Sequence, residues 1–212
     1  MGKAQDSLWR GFSPRLIAIL RGIRPEETAG IVSVLVEAGF RAIEIPLNSP
    51  DPFDSVQIAC QVAREATDEP CLVGAGTVLE VEEVDQVCAA GGNLIVSPNK
   101  NANVIRRALE HGALSLPGVF TPTECFEALD AGATALKIFP ASLIGAAGIS
   151  ALRAVLPKDT SLCAVGGIAP KDFSSYLDAG VDSFALGGSL YRPGDAPGTV
   201  RERASDAVKY LK

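Results

Sequence analysis

The sequence predicts an α/β chain whose eight strand–helix units close into one barrel, and two observations carry that expectation. The first is a repeated phrase, a helical stretch followed by Ala-Gly or His-Gly and then a short apolar run. It occurs in VEAGFRAIEIP (36–46), CAAGGNLIVSP (88–98), LEHGALSLP (109–117), LDAGATALKIFP (129–140) and LDAGVDSFALGG (177–188). A glycine that accepts positive φ ends a helix without steric cost, and the apolar run that follows it is of strand length. The second observation is length. Units spaced by about 20–28 residues use up the 212 residues with no linker and no shift in composition. A small (β/α)8 TIM barrel fits that arithmetic better than an open, doubly wound sheet, so residues 1–212 read as a single domain.

In chain order, residues 1–12 precede the first strand and are expected to form an arm or short helix across the barrel bottom. Strands are expected at 16–21, 41–46, 71–75, 93–97, 113–117, 133–139, 162–166 and 182–187, with helices between them and after the last. Four helix starts are legible in RPEE (24–27), SPDPF (49–53), TPTE (121–124) and APKD (169–172). Each has a proline near the first helical position, where the missing N–H would have had no partner.

Composition narrows the function. A net charge of −6, with no Lys/Arg run longer than two, argues against a nucleic-acid partner. Gly, Pro or charge interrupts every apolar run well short of the roughly 18–20 residues that span a bilayer. Met1–Arg10 lacks a basic segment followed by an apolar core, so a cytoplasmic protein without membrane contact is expected. Five cysteines, Cys60, Cys71, Cys88, Cys125 and Cys163, are odd in number and contain no C-x-x-C pair. They read as small apolar residues rather than a disulfide framework or zinc cage. His111, the single histidine, sits where a helix meets its glycine stop and reads as a cap. Neither a metal nor a cofactor is expected, and the partner is a small molecule.

In such a barrel the reacting groups stand at the carboxyl ends of the strands. Four polar residues fall there: Arg21 ending LIAILR, Glu44 in AIEIP, Thr77 after LVGAG, and Lys137 in ATALKIFP. Period-two alternation sends Leu136 and Ile138 toward the helices and Lys137 into the barrel. Desolvation there lowers an amine's pKa and leaves a neutral fraction able to attack a carbonyl. A lysine whose stem runs to the rim, or which pairs with a carboxylate, satisfies the same pattern. Glu44, between Ile43 and Ile45, points inward by the same rule. With Lys137 it makes either a passive ion pair or a proton shuttle beside a Schiff-base lysine. Arg21 offers a fixed cation for a substrate carboxylate, or a rim partner for Glu44.

The glycine pairs in AVGGIAPKD (164–172) and ALGGSLY (185–191) put unobstructed backbone N–H groups at the mouths of strands seven and eight. Barrels commonly hold a phosphate there, which makes Gly166, Gly167, Gly188 and Ser189 candidate phosphate ligands; either pair alone is equally a tight turn. GAGT (74–77) is a third such loop without G-x-G-x-x-G spacing, so no dinucleotide fingerprint is present.

With those residues placed, the chain resembles the class I aldolases of 2-dehydro-3-deoxy-6-phospho sugar acids from Leu16 to Arg192. IAILRG, GFRAIEIPLNSP, VGAGTVL, IVSPN, PGVFTPTE, ALKIFPAS, AVGGI and LGGSLY occur in the family's order and spacing. The resemblance implies cleavage of a phosphorylated 2-keto-3-deoxy sugar acid to pyruvate and D-glyceraldehyde 3-phosphate. It implies Lys137 as the Schiff-base residue, Glu44 as the proton-transfer residue, Arg21 and Thr77 against the pyruvate portion, and a homotrimer as the assembly. Relatives acting on the gluconate-derived epimer usually carry Thr or Ser before the strand-seven glycine pair and an arginine after the glutamate. Val165 and Asn48 stand at those places and resemble the galactonate-derived branch. A hydroxyl at 165 could bond the C4 oxygen of one epimer, and Val165 cannot.

Three rival readings remain at this level. One is a gluconate-epimer or 4-hydroxy-2-oxoglutarate aldolase using the same lysine. Another is a metal-dependent phosphosugar epimerase, against which the lone helical His111 speaks. The third is a non-catalytic barrel that binds a phosphorylated ligand.

Overall fold

The structure, a computed structural model, describes residues 9–12 and 15–211. The chain alternates strand and helix as expected: β1 Leu16–Ile19, α1 Pro25–Glu37, β2 Ala42–Pro46, α2 Pro52–Ala66, β3 Leu72–Gly76, α3 Val81–Ala89, β4 Leu94–Val96 and α4 Ala102–Glu110. It continues through β5 Leu114–Leu116, β6 Gly118–Val119, α5 Pro122–Asp130, β7 Leu136–Ile138, α6 Ala141–Val155, β8 Leu162–Val165, α7 Phe173–Asp178, β9 Ser183–Leu186 and α8 Pro197–Lys209. The eight expected strands are all present, trimmed or shifted at their ends. The fifth is split into β5 and β6 by Pro117, which has no N–H to give a ladder.

That split strand closes the barrel. The segments run β5-β4-β3-β2-β1-β9-β8-β7-β6, all paired in parallel, so the two halves of one strand lie at the two ends of the order. Across the seam Lys137 N donates to Pro117 O at 3.0 Å and Phe139 N to Val119 O at 3.1 Å. Among the described residues no helix is long and apolar enough to cross a membrane.

The repeated phrase has one physical cause. In all five copies the glycine takes positive φ: Gly39, Gly91, Gly112, Gly132 and Gly180. The next N–H then reaches back to close the helix end, as Phe40 N does to Leu35 O at 2.9 Å and Val181 N to Tyr176 O at 3.0 Å. The proline-led starts also appear, α1 at Pro25, α2 at Pro52 and α5 at Pro122, while Pro170 opens a short 3-10 turn that leads into α7. His111 is the C-cap residue of α4, and its Nε2 bonds Asp85 Oδ1 at 2.7 Å, tying α4 to α3.

Alternation along the strands produces two apolar cores. One lies between sheet and helices and includes Ile43, Ile45, Leu136 and Ile138. The other fills the barrel, with Ile17, Leu72, Leu94, Leu114 and Cys163 below and Val165 and Ala185 above. Residues 9–11 are helical, and the buried Trp9 and Phe12 join this interior cluster with ring centroids 4.9 Å apart. Arg10 Nη2 donates to Asp159 O in the segment that enters β8, which puts this turn at the barrel bottom as expected of the arm. Residues 1–8 of that arm lie outside the described residues.

Candidate active site

A cavity of about 780 Å³ opens at the carboxyl ends of the strands. Arg21, Glu44, Thr77, Lys137, Val165, Gly166, Gly167, Gly188 and Ser189 all line it; Asn48, alone of the site residues expected from sequence, does not.

Lys137 stands in the barrel opposite Gly118 on one side and Cys163 on the other, only 6% exposed. Burial pushes its ammonium below the ordinary lysine range, and the charge of Glu44 opposes part of that shift. Its Nζ lies 4.8 Å from the centre of the Phe139 ring, an apolar and weakly cation-attracting wall that restricts where the amine can go. Beneath it the buried Cys163 thiol is held neutral, its pKa raised to about 12 by burial.

Glu44 is 2% exposed, and its Oε2 has no hydrogen-bond partner. Burial raises this carboxyl to about 7, against the pull of the Lys137 and Arg21 charges. A buried acceptor left open, in one cavity with an amine of lowered pKa, is a poor device for stability and a suitable one for moving a proton near neutrality. Gly76 creates the space. A Cβ at Gly76 would lie 2.0 Å from Glu44 Oε2 and 2.4 Å from Cδ, so an alanine there would displace the carboxylate. Gly74, across from Glu44 in the ladder, is equally constrained, because its Cβ would meet Leu94 O at 1.9 Å. In the GAG of the third glycine loop, the first glycine is therefore required by the neighbouring strand and the second by the glutamate.

Thr77 follows directly, with φ of 58°, a left-handed conformation that β-branched residues rarely adopt. Val78 N bonded to Val96 O and Leu79 N bonded to Glu83 Oε2 hold the chain on its far side, so strain is kept where the side chain lines the cavity.

Arg21 is exposed at the rim, and its Nη1 donates to Asn48 Oδ1 at 2.6 Å rather than pairing with Glu44. Gly22 N donates to Ser49 Oγ at 2.9 Å, so two bonds join the loops after β1 and β2. Asn48 thus stands behind the arginine.

Gly166 and Gly167 both have positive φ, 93° and 71°. A Cβ would meet the Phe139 ring at 3.1 Å from the first and Ser142 Oγ at 2.2 Å from the second, so neither position admits a side chain without rearrangement. After β9, the N–H groups of Leu190 and Tyr191 donate to Gly187 O at 2.8 and 2.9 Å, forming a single helical turn. Gly188 and Ser189 lead that turn, so their N–H groups have no acceptor within it. No atom comes within 4 Å of a Cβ built on Gly188; its missing side chain leaves the mouth open. Strand-end reasoning did not single out Phe139, Gly76 or Arg192. Alternation from Glu44 and Gly74 would have placed Gly76 inward; no sequence signal marked the other two.

The match to known proteins covers nearly the whole chain. Residues 12–200 fit the family described as KDPG and KHG aldolase. A probable 2-dehydro-3-deoxy-6-phosphogalactonate aldolase of Rhizobium meliloti (strain 1021) is 53% identical over 189 residues, 89% of this chain and 87% of the relative. The 2-dehydro-3-deoxy-6-phosphogalactonate aldolase of Escherichia coli (strain K12) is 46% identical over 96% of both chains. A solved structure described as native KDPGal superposes with a TM-score of 0.89 at 45% identity, covering 93% of this chain and 94% of the other. By sequence along its length and by fold, this chain belongs to the KDPG and KHG aldolase family.

Proposed function

We propose that this protein is a class I aldolase that cleaves 2-dehydro-3-deoxy-6-phosphogalactonate to pyruvate and D-glyceraldehyde 3-phosphate. The observation that carries the reading is the buried amine of Lys137 in one cavity with the unbonded carboxyl oxygen of Glu44. Neutral Lys137 attacks the C2 ketone and loses water to form an iminium, which accepts the electron pair of the breaking C3–C4 bond. Glu44 takes the C4 hydroxyl proton, and the aldehyde leaves. The remaining enamine is protonated at C3 and hydrolysed, which returns free lysine and pyruvate. Arg21 and Thr77 hold the carboxylate end. The glycine-led turns at 166–167 and 188–189 hold the phosphate, so binding energy far from the reacting carbons fixes their position.

The choice of epimer rests on Val165, which lines the cavity one residue before Gly166, and on the galactonate names carried by the two relatives above. Asn48 contributes through its bond to Arg21. Threonine at 165 keeps nearly the same shape and adds a hydroxyl able to bond the C4 oxygen of the gluconate-derived epimer. One such bond contributes about 1–3 kcal/mol, or roughly one to two decades in kcat/KM. The parent should cleave the galactonate-derived substrate better, and Val165→Thr should move the ratio toward the gluconate-derived one. Steady-state kinetics on both epimers decide it; a parent that prefers the gluconate-derived substrate would reassign the activity.

A homotrimer is part of the same reading. Phe120, Phe126 and Leu143 are exposed, Leu143 at 75%, and supply apolar surface for neighbouring copies to cover. Sedimentation at micromolar concentration should give three times the chain mass. Five cysteines outside any disulfide suit a reducing, cytoplasmic setting.

A further inference from the structure

The four phosphate-facing residues already named contribute only backbone N–H groups and one hydroxyl. They orient oxygens but supply no net positive charge, and a bound phosphoryl group carries nearly two negative ones at neutral pH. Arg192 lies at the same corner. It lines the cavity, and its Nε donates to Gly188 O at 3.0 Å, which anchors the guanidinium on the turn that presents Gly188 and Ser189.

Among the described residues no carboxylate bonds its guanidinium, although Asp195 lies near enough to feel its charge. Asp195 is the neighbouring carboxylate, but its Oδ2 accepts the backbone N–H of Arg192 at 2.8 Å and also pairs with the guanidinium of Arg203. Six of the described arginines, Arg15, Arg24, Arg41, Arg107, Arg201 and Arg203, pair with carboxylates. Among the described residues neither Arg192 nor Arg21 forms an ion pair, and both line the cavity. In a chain of net charge −6, two cavity arginines without carboxylates mark a site for a ligand with anionic groups at both ends. The segment is also held in place: Asp195 N donates to Arg192 O at 3.0 Å, and the Pro193 ring packs so closely on Gly22 that a Cβ there would sit 2.8 Å from its Cγ.

We propose that Arg192 is the charged ligand of the substrate phosphate, its Nη groups completing a subsite whose other donors are backbone N–H groups and the Ser189 hydroxyl. This rests on the reading of the substrate as phosphorylated. Its signature is a change confined to the phosphate end.

The test compares the parent with Arg192→Gln and Arg192→Lys. It uses KM for the phosphorylated substrate, inhibition by inorganic phosphate, and borohydride trapping of pyruvate, which has no phosphate. Arg192→Gln should raise both KM and the phosphate inhibition constant roughly 10- to 100-fold, and trapping should stay at the parental level. Arg192→Lys should recover part of the loss, because it restores charge without the fork. Unchanged KM and phosphate inhibition in Arg192→Gln would overturn the proposal, as would loss of pyruvate trapping in that variant. A parent insensitive to inorganic phosphate, and indifferent to phosphorylation of its substrate, would instead bring down the phosphorylated-substrate reading and this proposal with it.

Discussion

Lys137→Ala should abolish cleavage and eliminate the covalent adduct that pyruvate and borohydride leave on the parent protein. The expectation follows from placement. Lys137 is buried in the cavity, its ammonium disfavoured by desolvation and its reach bounded by Phe139 and Cys163. Intact-mass measurement after trapping should show one reduced pyruvate per chain, and peptide mapping should locate it on Lys137. An adduct on another lysine, or an alanine variant that still turns over, would remove the imine from the mechanism. Far-ultraviolet circular dichroism should match the parent, because the strand keeps its ladder bonds, which involve only backbone atoms.

Glu44→Gln should still form the imine but slow cleavage by on the order of 10²-fold or more, since the amide fills the space beside Gly76 and cannot accept the proton. The pH profile separates this from a structural effect. With its carboxyl held up at about 7, the fraction of Glu44 able to accept a proton grows as pH rises through that value. The parental kcat/KM should climb with pH through about 7, and that limb should be missing in the variant. Stability runs the other way. The folded chain keeps the Glu44 proton up to about 7 and an unfolded chain only up to the ordinary 4.5, so folding binds a proton between those values. The resulting stabilisation is complete below 4.5 and is lost as pH rises through 7. Relative to Glu44→Gln, the parent should therefore lose thermal stability across that window in a melting series. A glutamine variant with parental turnover would leave Glu44 as no more than a charge partner for Lys137.

Local physics accounts for what the sequence disclosed. The repeated helix–glycine–strand phrase was legible because the positive φ at Gly39, Gly91, Gly112, Gly132 and Gly180 is demanded within a few residues of chain. Lys137 and Glu44 were legible because a charge flanked by apolar residues in a strand must face the barrel interior. Features that depend on contacts between distant segments were not. Pro117 announced a strand end, yet its carbonyl continues the ladder to Lys137 from the other half of the same strand. Asn48 was marked by likeness to relatives, whereas its bond to Arg21 depends on how two loops meet. Arg192 sits in a polar, glycine-containing loop of the kind usually left to solvent, and only the cavity shows what it faces.

The plug formed by Trp9 and Phe12, under the interior layer of Leu72, Leu94 and Leu114, bears on the order of events in turnover. With Trp9 and Phe12 filling the interior beneath, the cavity around Lys137 and Glu44 opens at the carboxyl ends of the strands. In the proposed reaction a bound sugar acid lies across that opening while it is whole. Release in that reaction should be sequential, glyceraldehyde 3-phosphate first and pyruvate second, because pyruvate stays bonded to Lys137 until its imine is hydrolysed.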